Sequence, residues 1–407
     1  MKKFCTLVWN VSLAVTLAAC GGAGGAGGSS TLSTPSSPPS SQTPAAAETS
    51  ITITNGNTVY NSATGDLNGD GLDDVVVSGW RYDSSTAYIW VLIQNSDGTL
   101  SDKTSTLLPV NTTHGSQHVF IADFDNDGKN DIFVPGFLDG SVMAPTTSMM
   151  FWNNGATFSK QDFTEQVMAH GACLDDINSD GKMDILAAGS NGVGVLYVNN
   201  GNRSFTADTT TLINTWFATC GVIHQANGDI NILMGGETAR SGYRSAIAVF
   251  NSNLQFQNYI GVNTSSGEDL INSAVFDANG DGRQDFVMAL SNVYPALPSR
   301  RVLLNTGTNT FTDGQTLDTL GSEYFTLVTS LVDGTPAVFL PETGIGSRLY
   351  YVSNGTMVAY KPTSFGEMTG SNRLLMPTIY KNAQQRKIYM LQLLNDGNNS
   401  TFKTHEM

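Results

Sequence analysis

From about residue 50 to the end, the chain alternates short apolar runs with clusters of Asn, Asp and Gly. Seven times an apolar run stops at such a cluster and a further apolar residue follows it: YIWVLIQNSDGTL, MMFWNNGATF, VGVLYVNNGNRSF, AIAVFNSNLQF, RVLLNTGTNTF, RLYYVSNGTMV and IYMLQLLNDGNNSTF. The runs are too short for helices and rich in β-branched and aromatic residues, so they read as strands. The residues after each turn (Leu100, Phe158, Phe205, Phe256, Phe311, Val358 and Phe402) are spaced by 44 to 58 positions. A unit of roughly fifty residues with four strands is the period of a propeller blade. The pattern therefore predicts an all-β chain, a seven-bladed β-propeller of four-stranded antiparallel blades spanning 51–407. Ile51 to Thr54, the first strand-like segment, would close the ring as the outer strand of the last blade, beside Phe402.

The polar stretches between strands carry a second repeat. In GDLNGDGLDDVVVSG, Asp66, Asn68, Asp70 and Asp74 stand at positions 1, 3, 5 and 9. The same frame holds Asp123, Asp125, Asp127 and Asp131; Asp176, Asn178, Asp180 and Asp184; and Asp277, Asn279, Asp281 and Asp285. Hard cations take six to eight oxygens, and alternate side chains of a tight loop supply them. Glycine at position 6 (Gly71, Gly128, Gly181, Gly282) allows the positive φ of a sharp turn. Position 7 (Leu72, Lys129, Lys182, Arg283) varies in side chain, as expected if only its carbonyl is a ligand. With oxygen donors alone, the expected ion is Ca²⁺, about four per chain. An apolar run follows each loop (VVV, IFV, ILA, FVM), which places the ligand set on a β-hairpin. Related slots at Gln225, Asn227, Gly228 and Asn231, at Asp333 and Gly334, and in KNAQQRK keep the turn without the carboxylates, and should bind no calcium.

Charge agrees with this placement. Thirteen acidic residues stand at the ligand positions of the four loops, against a whole-chain net of −15. Four calcium ions would offset much of that, so metal binding and folding are expected to be linked. No basic stripe accompanies the acidity, which argues against a nucleic-acid partner.

These loops, with the strands around them, make the chain resemble the FG-GAP/VCBS repeat family, whose relatives include the β-propeller heads of integrin α subunits. The resemblance implies a calcium-bearing propeller that recognises a ligand. The Phe-Gly and Gly-Ala-Pro elements that name the family have only FVPG, AAGS and LMGG near their places, which favours the bacterial version of the repeat.

Residues 1–19 combine Lys2 and Lys3 with a short apolar run and read as a secretory signal. Leu17, Ala18, Ala19 and Cys20 resemble a bacterial lipobox, which implies lipid attachment at Cys20 and a membrane link through that lipid alone. Gly21 follows, and an outer-membrane or cell-surface location is expected. Residues 20–50, the lipidated cysteine and a Gly/Ser/Thr/Pro/Ala-rich stretch, form a tether with too little apolar surface to fold. Cys173 and Cys220 occupy equivalent places on neighbouring inner strands; they are either a bridge or two small buried apolar residues.

With the metal loops joining first and second strands, the opposite face is built from the other connections. Trp80, Arg81, Tyr82, Phe137, Arg240, Tyr243, Arg244, Tyr294 and Arg300 fall there, residue types that anchor partners. His114, His118, His170 and His224 share no ligand frame, and neither HExxH nor GxSxG occurs, so no enzyme activity is expected. The expectation is a monomeric, lipid-anchored recognition or adhesion module with a glycan or protein ligand; the alternatives are a surface polysaccharide-processing enzyme and a structural envelope scaffold.

Overall fold

The computed structural model describes residues 51–53, 58–80, 87–114, 118–137, 145–189, 194–210, 219–235, 245–262, 269–291, 299–317, 327–331, 333–340, 348–360, 378–395 and 400–406. Residues 47–407 form one compact unit. Its described strands make antiparallel sheets in chain order. Sheet 1 is Thr58–Gly65, Asp74–Trp80, Ala87–Gln94 and Leu100–Asp102. Sheet 2 is Phe120–Ala122, Asp131–Val134, Thr146–Asn153 and Phe158–Val167. Sheet 3 is Ala169–Asp175, Asp184–Gly189, Val195–Gly201 and Ser204–Asp208. Sheet 4 is Thr219–His224, Ile230–Gly235, Ser245–Phe250 and Phe256–Gly261. Sheet 5 is Asp269–Phe276, Asp285–Ser291, Ser299–Gly307 and Thr310–Leu317. Sheet 6 is Leu327–Ser330, Pro336–Leu340, Arg348–Ser353 and Thr356–Ala359. Sheet 7 is Thr378–Asn382, Lys387–Asn395, Ser400–Glu406 and, from the other end of the chain, Ile51–Ile53.

The apolar runs are continuous because both faces of each inner strand are covered. Side chains alternate across a strand, so one face serves each neighbour. Val75 and Val77 pack toward Tyr380, Tyr389 and Leu391 of sheet 7, whereas Val76 packs with Ile121, Ile132 and Phe151 of sheet 2. Further clusters fill the seams between sheets 2 and 3, 3 and 4, 4 and 5, 5 and 6, and 6 and 7. Ile51 pairs with Phe402 and Ile53 with Ser400, so the two ends of the unit share one sheet.

Two details depart from the expected regularity. Six sheets have four strands, but sheet 1 has a fifth: Leu100–Asp102 pairs only with Leu92–Gln94, and Thr112–Thr113 takes up the pairing at Ala87 and Tyr88. Between the pieces the chain makes a one-turn helix, Thr104–Leu107, and Thr104 Oγ1 accepts the Val91 N–H that the interruption would leave unpaired. This insertion accounts for the widest of the sequence spacings, the one after Leu100. In sheet 7 the run IYMLQLL is the second strand, not the third, because Asn382–Lys387 closes the preceding hairpin directly before it.

Candidate metal centres

Each of the four acidic loops joins the first strand of its sheet to the second, in sheets 1, 2, 3 and 5. Their backbone turns through two residues of positive φ. Position 6 is Gly71, Gly128, Gly181 or Gly282, with φ from 81 to 86°, and position 4 is Gly69, Asn126, Ser179 or Gly280, with φ from 58 to 79°. The left-handed residue at position 4 was not anticipated from the sequence, where only its Gly and Asn members hint at it.

This double turn points amide hydrogens inward. The N–H of position 6 donates to Oδ2 of the position-1 aspartate at 2.8–2.9 Å in all four loops. The N–H of position 5 donates to Oδ1 of position 3 at 2.9–3.2 Å, and that of position 7 to Oδ1 of position 5 at 2.8–3.0 Å. These bonds hold the side chains at 1, 3 and 5 against the backbone of their own turn. In the second loop, carboxylate oxygens of Asp123, Asp125 and Asp131 lie within 4.8 Å of one another. Positions 1, 3, 5 and 9 offer oxygen donors and no histidine or thiolate, the set a hard divalent cation takes. The residues therefore fit Ca²⁺.

Position 9 has a second task that the spacing alone did not reveal. Asp74, Asp131, Asp184 and Asp285 are fully buried. Oδ2 of each accepts the position-2 N–H of its own loop (Leu67, Phe124, Ile177, Ala278) at 2.8–3.1 Å. Oδ1 accepts the N–H at the end of the third strand (Gln94, Asn153, Asn199, Asn305) at 2.7–2.8 Å. Burial outweighs these bonds and pushes the carboxyls up, to about 7 for Asp74 and Asp131 and about 6 for Asp184 and Asp285.

The third-strand residue completes the clip. Asn153 Nδ2 donates to the Asn130 carbonyl in its own loop and to the Leu67 carbonyl in the loop of sheet 1; Asn199 does the same with Met183 and, in the loop of sheet 2, Phe124. Their Oδ1 atoms accept from Gly155 and Gly201, and Asn305 Oδ1 from Gly307. Asn153 and Asn199 thus bind one loop to its neighbour, and Asn305 Oδ1 accepts from Gln225 Nε2 of sheet 4 at 3.3 Å. In the sequence these residues look only like turn formers, although NNG, NNG and NTG recur at this place.

The slots without the full acidic frame hold by other means. In sheet 4, Gln225 Nε2 donates to Oδ1 of the buried Asn231, and Asp229 Oδ2 accepts from Asn227 and from Asn309 of sheet 5. Between sheets 3 and 4, Cys173 and Cys220 are disulfide-bonded, with Cα atoms 5.8 Å apart, and His224 Nε2 lies 3.6 Å from Asp175. That contact raises the His224 pKa. At the seam between sheets 7 and 1, the Lys381 N–H donates to Asp73 Oδ2 at 3.0 Å, and Gln94 Nε2 donates to the Asp73 and Lys381 carbonyls.

The expected binding face fares differently. Phe137 and Arg300 are each 1 % exposed, so neither is a surface anchor: Phe137 lies just past the second strand of sheet 2, and Arg300 is a residue of the third strand of sheet 5, paired with Ala289 and Leu317. Arg81, Tyr82, Arg240, Tyr243, Arg244, Tyr294 and the side chain of Trp80 lie outside the described residues, as does Cys20. His118 Nδ1 is 2.8 Å from the Asn61 amide and His114 Nδ1 2.8 Å from Thr147 Oγ1, in separate places.

Residues 66–134 match the FG-GAP-like repeat family, a span that runs from the first acidic loop through the second. Among solved structures, the chain is similar to BBS1N in complex with ARL6DN, soaked with lead: TM-score 0.51 at 12% identity, over 86% of this chain and 93% of that one. The mercury-soaked form of the same complex gives 0.50 at 11%, over 87% and 95%. Identity this low shows a shared fold. No curated protein matches the chain by sequence.

Proposed function

We propose, from the premise that this chain is an FG-GAP-repeat β-propeller, that it is a calcium-loaded, lipid-anchored recognition module of the cell envelope. The observation that carries the reading is the identical construction of four oxygen-lined turns, in sheets 1, 2, 3 and 5, each locked by a buried position-9 aspartate. The sheets close as a seven-bladed ring, with Ile51–Ile53 as the last outer strand. Asp66, Asn68, Asp70 and Asp74, and their counterparts in the other three loops, hold Ca²⁺ together with the position-7 carbonyls. The ion neutralises carboxylates that otherwise repel, and so makes the turn rigid. Clips such as Asn153 then pass that rigidity from one blade to the next.

A rigid ring presents its remaining loops as a fixed surface, and loops on rigid scaffolds are where recognition residues concentrate. The ligand is a glycan or a protein, met on the face away from the metal loops. Cys20 carries the lipid, and residues 21–50 let the ring stand off the membrane surface. The test is binding to a glycan array and to a surface-protein panel, with calcium and with EDTA. A ligand retained with calcium, weakened by EDTA and lost in Tyr82→Ala or Tyr243→Ala is the expected result. Equal binding in all three conditions would refute it.

A further inference from the structure

The four loops differ in one respect that bears directly on how strongly they hold a cation. Lys129 Nζ sits 2.5 Å from Asp127 Oδ2, Lys182 Nζ 2.7 Å from Asp180 Oδ2, and the Arg283 guanidinium contacts Asp281 Oδ2. In each case the position-7 side chain folds back onto the position-5 carboxylate of its own loop. The second loop has a further base. Arg203, in the outer hairpin of sheet 3, reaches across the seam: its Nε is 2.7 Å from Asp125 Oδ2, Nη1 donates to Asn154 Oδ1 at 2.7 Å, and the guanidinium lies over the Trp152 ring at 5.3 Å.

Among the described residues, no base touches a ligand carboxylate of the first loop. Its position 7 is Leu72, buried at 2 % exposure, and Asp70 Oδ2 accepts from the Asn68 amide instead. The nearby Lys381 faces Asp73, which is not a ligand position, and the two charges offset each other. The third and fourth loops set three ligand carboxylates against one touching base, and the second sets four against two. Among the described residues, only the first has three against none.

We propose that the loop Asp66–Asp74 is the high-affinity calcium site of this protein, and that Lys129 with Arg203, Lys182 and Arg283 hold the other three loops to weaker binding. The inference rests on the calcium reading above and adds the ranking of the sites. A positive charge some 5 Å from a divalent ion opposes its binding by about tenfold even in a water-like dielectric. The bases therefore act as specificity-setting residues without being ligands. As calcium rises, the loop of sheet 1 fills first, and the remaining loops fill afterwards.

Calorimetric titration of the full chain with CaCl₂ tests the ranking. One tight site followed by three sites about tenfold weaker is expected. Lys182→Met, a change at a half-exposed position, should convert the profile to two tight and two weaker sites. Asp66→Asn should remove the tight phase and leave the weaker three. Four equal sites, a tight phase that survives Asp66→Asn, or a Lys182→Met profile identical to the parent would each overturn the ranking while leaving calcium binding intact. Absence of any calcium heat would instead refute the proposed function itself.

Discussion

Gly128 shows what a single residue contributes to these turns. Its φ is 85°, and a Cβ built there would meet nothing within 4 Å, so the need for glycine is conformational and not steric. Gly128→Ala should therefore cost about 1–2 kcal/mol, the penalty for a left-handed L-residue, readable as a lower denaturation midpoint with or without calcium. The position-9 aspartates lead to a pH dependence. Their folded-state pKa values, about 7 for Asp74 and Asp131 and about 6 for Asp184 and Asp285, lie above the unfolded value of 3.8. The folded state then binds more protons at these four groups, so the stability they contribute to the metal-free protein should be fully present below pH 3.8 and be lost as pH rises through 6 and 7. Calcium, which favours the ionised loop, should reverse that slope; melting temperatures across pH in EDTA and in calcium would show it. The repeated turn frame was legible at this scale because its spacing recurs unchanged in the four loops. The roles of Asn153, Asn199 and Asn305 were not, since an amide that ties two loops together looks in sequence like any turn residue. Phe137 and Arg300 misled for the opposite reason: residue type suggested a partner, whereas both are buried, at 1 % exposure.

Between elements, the seam joining sheets 3 and 4 stands apart. The sheet 4 loop keeps only Asp229 of its carboxylates, and at this seam lies the disulfide Cys173–Cys220, closing 47 residues. On chain-entropy grounds such a loop is worth up to about 4 kcal/mol. The double variant Cys173→Ala with Cys220→Ala should lower stability by about 2–4 kcal/mol, measured by chemical denaturation, and reduction of the parent protein should move it the same way. Equivalent positions on adjacent inner strands made the pair visible in the sequence, but the distance that decides between bridge and free thiols comes only from the packing of the sheets. Sheet 1 taught a related lesson. Its spacing from Leu100 to Phe158 was wide, yet nothing in the residues distinguished a long loop from an outer strand split by the Thr104–Leu107 turn, because the compensation is one hydroxyl on one N–H.

Across the molecule, the period of the apolar runs foretold the architecture, since strands buried on both faces must be apolar throughout and must recur once per sheet. The offset in sheet 7 was hidden because a hairpin between second and third strands uses the same Asn/Gly chemistry as one between third and fourth. Sharing that sheet between the two ends has a consequence: deleting residues 1–57 removes Ile51–Ile53, exposes the edge of Ser400–Glu406 and should lower the melting temperature, whereas deleting residues 1–46 should not. The whole account turns on calcium in four equivalent loops. Equilibrium dialysis of the purified chain against ⁴⁵Ca²⁺ at millimolar concentration tests this most directly. About four ions per chain in the parent and about three in Asp123→Ala is the expected result; fewer than one ion in the parent, or the same number in both proteins, would contradict it.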